Sequence, residues 1–228
     1  SVARPGKCGG CDAIVLAGGD SRRMAGLDKA TVRIGDAPLL DRAVMAVAGA
    51  ETIVIVGPRR PLEDPGGRVV WTRERPAGSG PAAALVHALT LVRRPHVVVL
   101  AVDAPFTASA VPRLLEAVGV GAGTRDAVAT RYAAEAPEAA MLVEETGRRQ
   151  PLIACYVTEA LRRRANGQRW IDRSVHSFVE GLRVVEVEAL GAESLDCDTP
   201  DDVEKARSLA ATGQGAAVAR STDVAAED

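Results

Sequence analysis

Three short aliphatic runs punctuate the first half of the chain: residues 13–16 (AIVL), 53–56 (IVIV) and 97–102 (VVVLAV). Each is too short for a helix, rich in β-branched residues and bounded by Gly, Pro or charged positions, so each is predicted to be a buried strand. Between and after them the apolar period changes. Leu40, Ala43, Val44 and Val47 follow i, i+3, i+4, i+7 spacing; so do Leu85, Ala88, Leu89 and Val92, and Val111, Leu114, Leu115 and Val118. Such sets line one face of a helix. Strand–helix alternation predicts a three-layer, doubly wound α/β fold with a mostly parallel sheet and right-handed crossovers. In such sheets, ligands bind outside the carboxyl ends of the strands. The loop after Leu16 and the segment from Asp103 are therefore expected on one rim.

The second half is less regular. Residues 152–157 and 182–187 are predicted as strands, and 158–164, 170–180 and 201–209 as helices. Residues 120–147 are rich in Ala, Gly and Glu and give only a strand near 127–130. A single domain is expected over 1–211, with 1–11 as a loose lead. From 212 to 228, small and polar residues predict a disordered tail.

Composition narrows the function. Aromatics make up 3% of residues against 47% hydrophobic overall, so the core must be aliphatic. A net charge of −2 supplies no broad positive field, which argues against a general nucleic-acid binder. No apolar stretch approaches the ~20 residues that span a bilayer, and no signal-peptide pattern opens the chain. A cytoplasmic location without membrane contact is expected. Cys8 and Cys11 form a lone C-x-x-C pair without a second ligand pair, and no chemical role is expected of them. Cys155 and Cys197 are expected to be reduced. His87, His96 and His176 have no metal-ligand spacing and are expected to be structural.

Basic character is instead local. The first strand runs into Ala17-Gly18-Gly19-Asp20-Ser21-Arg22-Arg23-Met24-Ala25-Gly26-Leu27-Asp28-Lys29. Consecutive glycines admit close backbone approach, and exposed backbone N–H groups form an anion-binding concavity. Arg22, Arg23 and Lys29 add the fixed charge that a triphosphate requires. The pattern is neither G-x-x-x-x-G-K-[ST] nor G-x-G-x-x-G, the usual phosphate-binding signatures. Asp103 follows the third run directly, before Pro105; there a carboxylate suits either a hard cation such as Mg2+ or a cap for a helix starting near Thr107.

The loop resembles the L-A-G-G-x-S-R-R-M-G-x-D-K signature of the molybdenum cofactor guanylyltransferases, with Ala25 where that family usually has Gly. The resemblance implies a Rossmann-like nucleotidyltransferase fold. It also implies nucleotide contacts from Leu16, Ala17, Gly18, Gly19, Arg22, Arg23, Lys29, Gly57, Gly80 and Asp103. Arg23, Lys29 and Asp103 would be catalytic. Asp103 matches the family's D-x-P metal motif, and Asp196-Cys197-Asp198-Thr199-Pro200-Asp201-Asp202 resembles its C-terminal N-x-N-T-P-E-E segment, so Asp103 and Asp198 would hold Mg2+. The same segment is closer still to the D-x-D-T-P-E-D form of cytidylyl enzymes acting on that cofactor. Thr199-Pro200-Asp201-Asp202 is also a good helix start, with Thr as cap and Pro at the first position.

Ala77-Gly78-Ser79-Gly80-Pro81 resembles the family's nucleoside loop, but Arg75, beside Glu74, stands where the family tends to carry an Asp. Gln150-Pro151 resembles a His-Pro pair facing the second substrate; Arg148, Arg149 and the run 162–164 suit either a phosphorylated acceptor or a solvated face. The implied activity is Mg2+-dependent transfer of GMP from GTP to the terminal phosphate of molybdopterin, with or without molybdenum, releasing pyrophosphate. Molybdoenzyme maturation proteins are the implied protein partners. The alternatives are a cytidylyltransferase on the same cofactor, a sugar-phosphate nucleotidyltransferase, or a catalytically silent nucleotide-binding protein.

Overall fold

A computed structural model describes residues 10–18, 27–64, 66–120 and 136–213. Along the chain the elements run β1 (Cys11–Leu16), β2 (Arg33–Ile34), β3 (Ala37–Pro38), α1 (Leu39–Ala46), β4 (Ile53–Val56), β5 (Val69–Thr72), α2 (Pro81–Leu89), β6 (His96–Ala101) and α3 (Ala110–Ala117). They continue as β7 (Ala139–Val143), β8 (Arg149–Val157), α4 (Thr158–Ala165), α5 (Val175–Val179), β9 (Val184–Glu188) and α6 (Pro200–Ala211). The strand expected near 127–130, residues 1–9 of the expected lead and the tail from 214 lie outside the described residues.

The three aliphatic runs form the heart of a seven-stranded sheet of order β5-β4-β1-β6-β8-β7-β9. All strands share one direction except β8, which is antiparallel to both β6 and β7. Alternation along the strands divides the core into two faces. Ala13, Val15, Ile53, Ile55, Val98 and Leu100 pack against α1, α3 and α6. Ile14, Leu16, Val54, Val56, Val97 and Val99 pack against α2, α4 and α5. The result is the expected three-layer architecture.

Three expectations need correction. Cys11, read as part of a loose lead, is the first residue of β1, pairs with His96 and is 1% exposed. The helix expected over 170–180 is confined to α5. Asp172 takes φ 57, and Ser174 caps the helix by accepting from Ser177 N. Finally, β5 and β7 were not foreseen; β5 is only partly buried at the sheet edge, and β7 lies in the stretch that gave no readable period.

Inside β1, the buried Asp12 is explained by main-chain donors: Thr52 N at 3.1 Å, Arg93 N at 2.6 Å and Arg94 N at 2.9 Å. It ties two loops, those before β4 and before β6, to β1 at the end of the sheet away from the glycine loop. No helix among the described residues is long and apolar enough to cross a membrane.

The chain runs from β1 outward through β4 to β5, then returns to place β6 on the other side of β1. The topological switch therefore lies between β1 and β6, where diverging loops leave a crevice beyond the strand ends. Leu16 and Ala101 are level in the sheet, and Val102 N donates to Leu16 O at 3.1 Å. Because β8 is antiparallel, it is its beginning, from Arg149, that reaches this same rim.

Candidate active site

Lys29 enters the crevice from a single 3-10 turn, Lys29–Thr31. Asp28 caps that turn, its Oδ1 accepting from Ala30 N at 3.2 Å. Lys29 Nζ donates to Asp103 Oδ2 at 3.1 Å and also to Asp198 Oδ1. The two carboxylates arrive from separate elements. Asp103 stands just past β6, while Asp198 precedes α6. A main-chain bond from Cys197 N to Asp103 O, 2.9 Å long, clamps the two segments together.

Helix α6 fixes the far side of that clamp. Thr199 accepts from Asp202 N, and the Asp202 carboxylate accepts from Thr199 N at 2.9 Å, completing a capping box with Pro200 at the first helical position. The cap and the cation-facing role thus fall on different residues of one motif. Asp103 is not a cap: the turn Thr107–Ser109 begins after Phe106 without a side-chain cap.

Electrostatics follow from this geometry. Burial alone would lower the Lys29 pKa; the Asp198 hydrogen bond and the Asp103 charge outweigh it, and the ammonium titrates above the usual lysine value. Asp196, two residues before Asp198, is pushed up to about 7 by burial and by the charges of Asp103 and Asp198, with Arg148 offsetting part. Burial, together with Asp103, Asp202 and Asp196, pushes the Cys197 thiol up to about 12; it is a free thiol, reduced as expected. The site holds more negative charge than Lys29 neutralises.

A cleft of about 370 Å3 opens here, within the size range of small-molecule sites. Leu16, Ala17, Gly18, Asp28, Lys29 and Asp103 line it, together with Arg148, Gln150, Pro151, Ser174, His176 and Asp196. A second, more open groove adjoins it across Asp196, lined also by Glu144, Asp198, Asp202 and Lys205. His176, expected to be structural, instead borders the cleft and is exposed. His87 bonds Thr72 Oγ1 at 2.8 Å, and His96 is half-buried in β6 with its pKa lowered by burial.

Other expected residues sit farther back. Gly57 has φ +155, and a Cβ there would lie 2.8 Å from the Ala17 carbonyl group. It lets β4 run flush behind Ala17 and Gly18. Gly80, with φ +90, packs against Asp172 and leaves Pro81 to line the cleft. Arg162, Arg163 and Arg164 are engaged by Val92 O, Glu138 and Phe178 O respectively, away from the cleft. Glu74 accepts from Gly78 N at 2.8 Å while Arg75 is exposed. Gly19, Arg22 and Arg23 lie outside the described residues.

Sequence reading missed Arg60, Asp196 and Ser174 as site residues. Asp196 carried a signal, the spacing of Asp196 and Asp198 around Cys197. Arg60, in a loop without periodicity, carried none.

Among described residues, no cluster of three or more His, Cys, Asp or Glu side chains is arranged as a complete metal site. Asp103 and Asp198 nevertheless suit a hard divalent cation, which commonly takes one or two carboxylates and completes its shell with phosphate and water. They already draw one ammonium between them.

A family model described as "MobA-like NTP transferase domain" matches residues 13–187. A probable molybdenum cofactor guanylyltransferase from Natronomonas pharaonis is 27% identical over 210 residues, spanning 85% of this chain and 95% of that protein. Molybdopterin-guanine dinucleotide biosynthesis protein A from Archaeoglobus fulgidus has a similar fold, with TM-score 0.57 and 22% identity over 88% of this chain and 99% of that one. The Mycobacterium tuberculosis protein Rv0371c, solved in complex with manganese, gives TM-score 0.60 and 21% identity over 87% of this chain and 98% of that one.

Proposed function

The chain belongs to the MobA-like NTP transferase family, and from that premise we propose that it transfers GMP from GTP to the terminal phosphate of molybdopterin, with or without molybdenum. The observation that carries the proposal is the meeting of Lys29, Asp103 and Asp198 at the switch point between β1 and β6. An oxygen of the acceptor phosphate attacks the α-phosphorus; that P–O bond forms as the bond to the β-phosphate bridging oxygen breaks, and pyrophosphate leaves. The acceptor oxygen is already anionic near neutral pH, so no general base is required.

What the protein must supply is alignment and relief of repulsion between two anions. Ala17, Gly18 and the basic segment that follows would hold the triphosphate, with Lys29 set against charge developing on pyrophosphate. Asp103 and Asp198 would hold a divalent cation, Mg2+ in this reading, which supplies positive charge beside the reacting phosphates when bound. Arg148, Ser174 and His176, which line the same cleft, would receive an anionic acceptor. A GTP-consuming step of this kind fits the cytoplasmic location expected from the sequence.

Transfer of CMP to the same acceptor is the second reading, favoured by a carboxylate at Asp196 within Asp196-Cys197-Asp198 and by Arg75 beside the nucleoside loop. Thermal shift with GTP, CTP, ATP and UTP plus Mg2+ tests both, because a tight ligand raises the melting point. The proposal expects the largest shift with GTP, and pyrophosphate release once molybdopterin is added. A largest shift with CTP selects the second reading; shifts without pyrophosphate release indicate a silent binder.

A further inference from the structure

Arg42, half-buried on α1, donates to main-chain oxygens of two separate segments. Its Nη1 donates to Ile34 O in β2 at 3.1 Å. Its Nε donates to Pro105 O, also at 3.1 Å, two residues past Asp103. The guanidinium carbon lies 5.4 Å from the centroid of the buried Phe106 ring. The planar fork thus engages carbonyls on two sides while stacking on a ring, which the compact ammonium of lysine does not reproduce.

Both segments lead to the reacting pair. Ile34 pairs with Ala37 in the β2–β3 ladder, and Val32 O accepts from Leu39 N at 2.8 Å at the head of α1. Val32 N in turn donates to Lys29 O at 3.0 Å. The Lys29–Thr31 turn has only Ala30 buried, so its flanks, more than its own packing, hold Lys29 in place. On the other segment Ala104, Pro105 and Phe106 are all buried, and a shift of Pro105 is passed on to Asp103 rather than absorbed by a loose loop. Lys29 and Asp103, 74 residues apart in the chain, are therefore backed by one side chain.

We propose that Arg42 is a positioning residue that sets the alignment of Lys29 with Asp103 by bridging the main chain behind each. The consequence for turnover rests on the nucleotidyltransferase reading of the cleft; the alignment itself does not. Group transfer is sensitive to placement, and a shift of about 1 Å caused from outside the reacting centre can cost about 100-fold in rate.

The test compares Arg42→Met and Arg42→Lys with Arg164→Met. Arg164 makes the same kinds of contact in the opposite helical layer: its Nε donates to Phe178 O at 3.0 Å, and its guanidinium carbon lies 5.8 Å from the Trp170 ring centroid. The readout is the rate of acylation of the Lys29 amine in nucleotide-free protein, followed by mass spectrometry, with melting temperature as the control for folding. Arg42→Met and Arg42→Lys are each expected to raise that rate at least threefold, while Arg164→Met leaves it near wild type. An unchanged rate in Arg42→Met, an equal rise in Arg164→Met, or full restoration by lysine would each overturn the proposal. Should Arg42→Met fail to fold, the rate in Arg42→Lys decides.

A second readout is pyrophosphate release at saturating GTP, Mg2+ and molybdopterin. Arg42→Met is expected to lower kcat at least tenfold in the wild-type background. Added to Asp103→Asn it should lower kcat by no more than about twofold, because both changes act through the same contact; losses that multiply overturn the proposal. If wild type releases no pyrophosphate from any nucleotide, it is the proposed function that fails, and the acylation rate decides the role of Arg42 independently.

Discussion

Lys29 Nζ lies 3.1 Å from Asp103 Oδ2, across 74 residues of chain, and its second acceptor is Asp198. One ammonium thus spans two carboxylates in the place where the proposed chemistry needs both a phosphate ligand and a divalent cation. Lys29 and that cation would compete for the same oxygens, while a triphosphate would draw Lys29 away from them.

Lys29→Met should therefore have opposite effects on two ligands. Turnover is expected to fall by two or more decades, on the scale of a lost charge-stabilising contact. In nucleotide-free protein, Mn2+ affinity should rise several-fold, because the competing ammonium is gone. Titration followed by electron paramagnetic resonance reads the second effect; weaker Mn2+ binding would show that Lys29 does not compete at these oxygens.

Asp103→Asn preserves shape and the main-chain bond from Cys197 N to Asp103 O. Its melting temperature should stay within a few degrees of wild type while GMP transfer falls by two or more decades. Steady-state pyrophosphate release checks this, and near-wild-type turnover would remove Asp103 from the mechanism.

Gly57→Ala places a Cβ 2.8 Å from the Ala17 carbonyl group, at a backbone conformation closed to alanine. A loss of about 1–3 kcal/mol is expected from chemical denaturation. Triphosphate affinity should fall with it, since the strain falls on Ala17 and Gly18. Unchanged affinity would confine Gly57 to packing.

The Thr199 cap and Asp198 can be separated. Thr199→Ala should cost about 1 kcal/mol of stability and leave metal dependence intact. Asp198→Ala should do the reverse, raising the metal concentration needed for half-maximal turnover while the protein stays folded. An unfolded Asp198→Ala protein would mean that Asp198 acts in the fold rather than on a cation.

The capping box also gives a pH dependence. The Thr199 hydroxyl bond holds the Asp202 carboxyl below its ordinary value; burial opposes it, and main-chain bonds from Thr199 and Asp198 add to the lowering. A carboxylate with a lowered folded pKa adds stability above its unfolded pKa, near 4, and that stability is lost as pH falls through the folded value. Melting curves between about pH 2 and 5 should therefore fall less steeply for Asp202→Asn than for wild type. Equal slopes would remove Asp202 from the acid response.

The sequence by itself determined the strands at 13–16, 53–56 and 97–102, the faces of α1, α2 and α3, and the presence of Lys29 and Asp103 on one rim. Those follow from local periodicity and from the rule that parallel strands open their loops on the same edge. The cap at Thr199 was likewise legible, because capping is settled within four residues. Tertiary structure alone decided the rest. Strand β5 is an edge strand whose place depends on pairing with β4, and β8 brings Gln150 and Arg148 to the rim only because it runs against its neighbours. Arg60 became a clamp through partners at Ala17 and Asp28, which no pattern around Arg60 encodes. The elevated pKa of Asp196 arises from burial and from charges just past β6 and before α6 that meet only when the sheet has formed. Periodicity is a property of neighbours in sequence, whereas charge, closure and pairing are properties of neighbours in space.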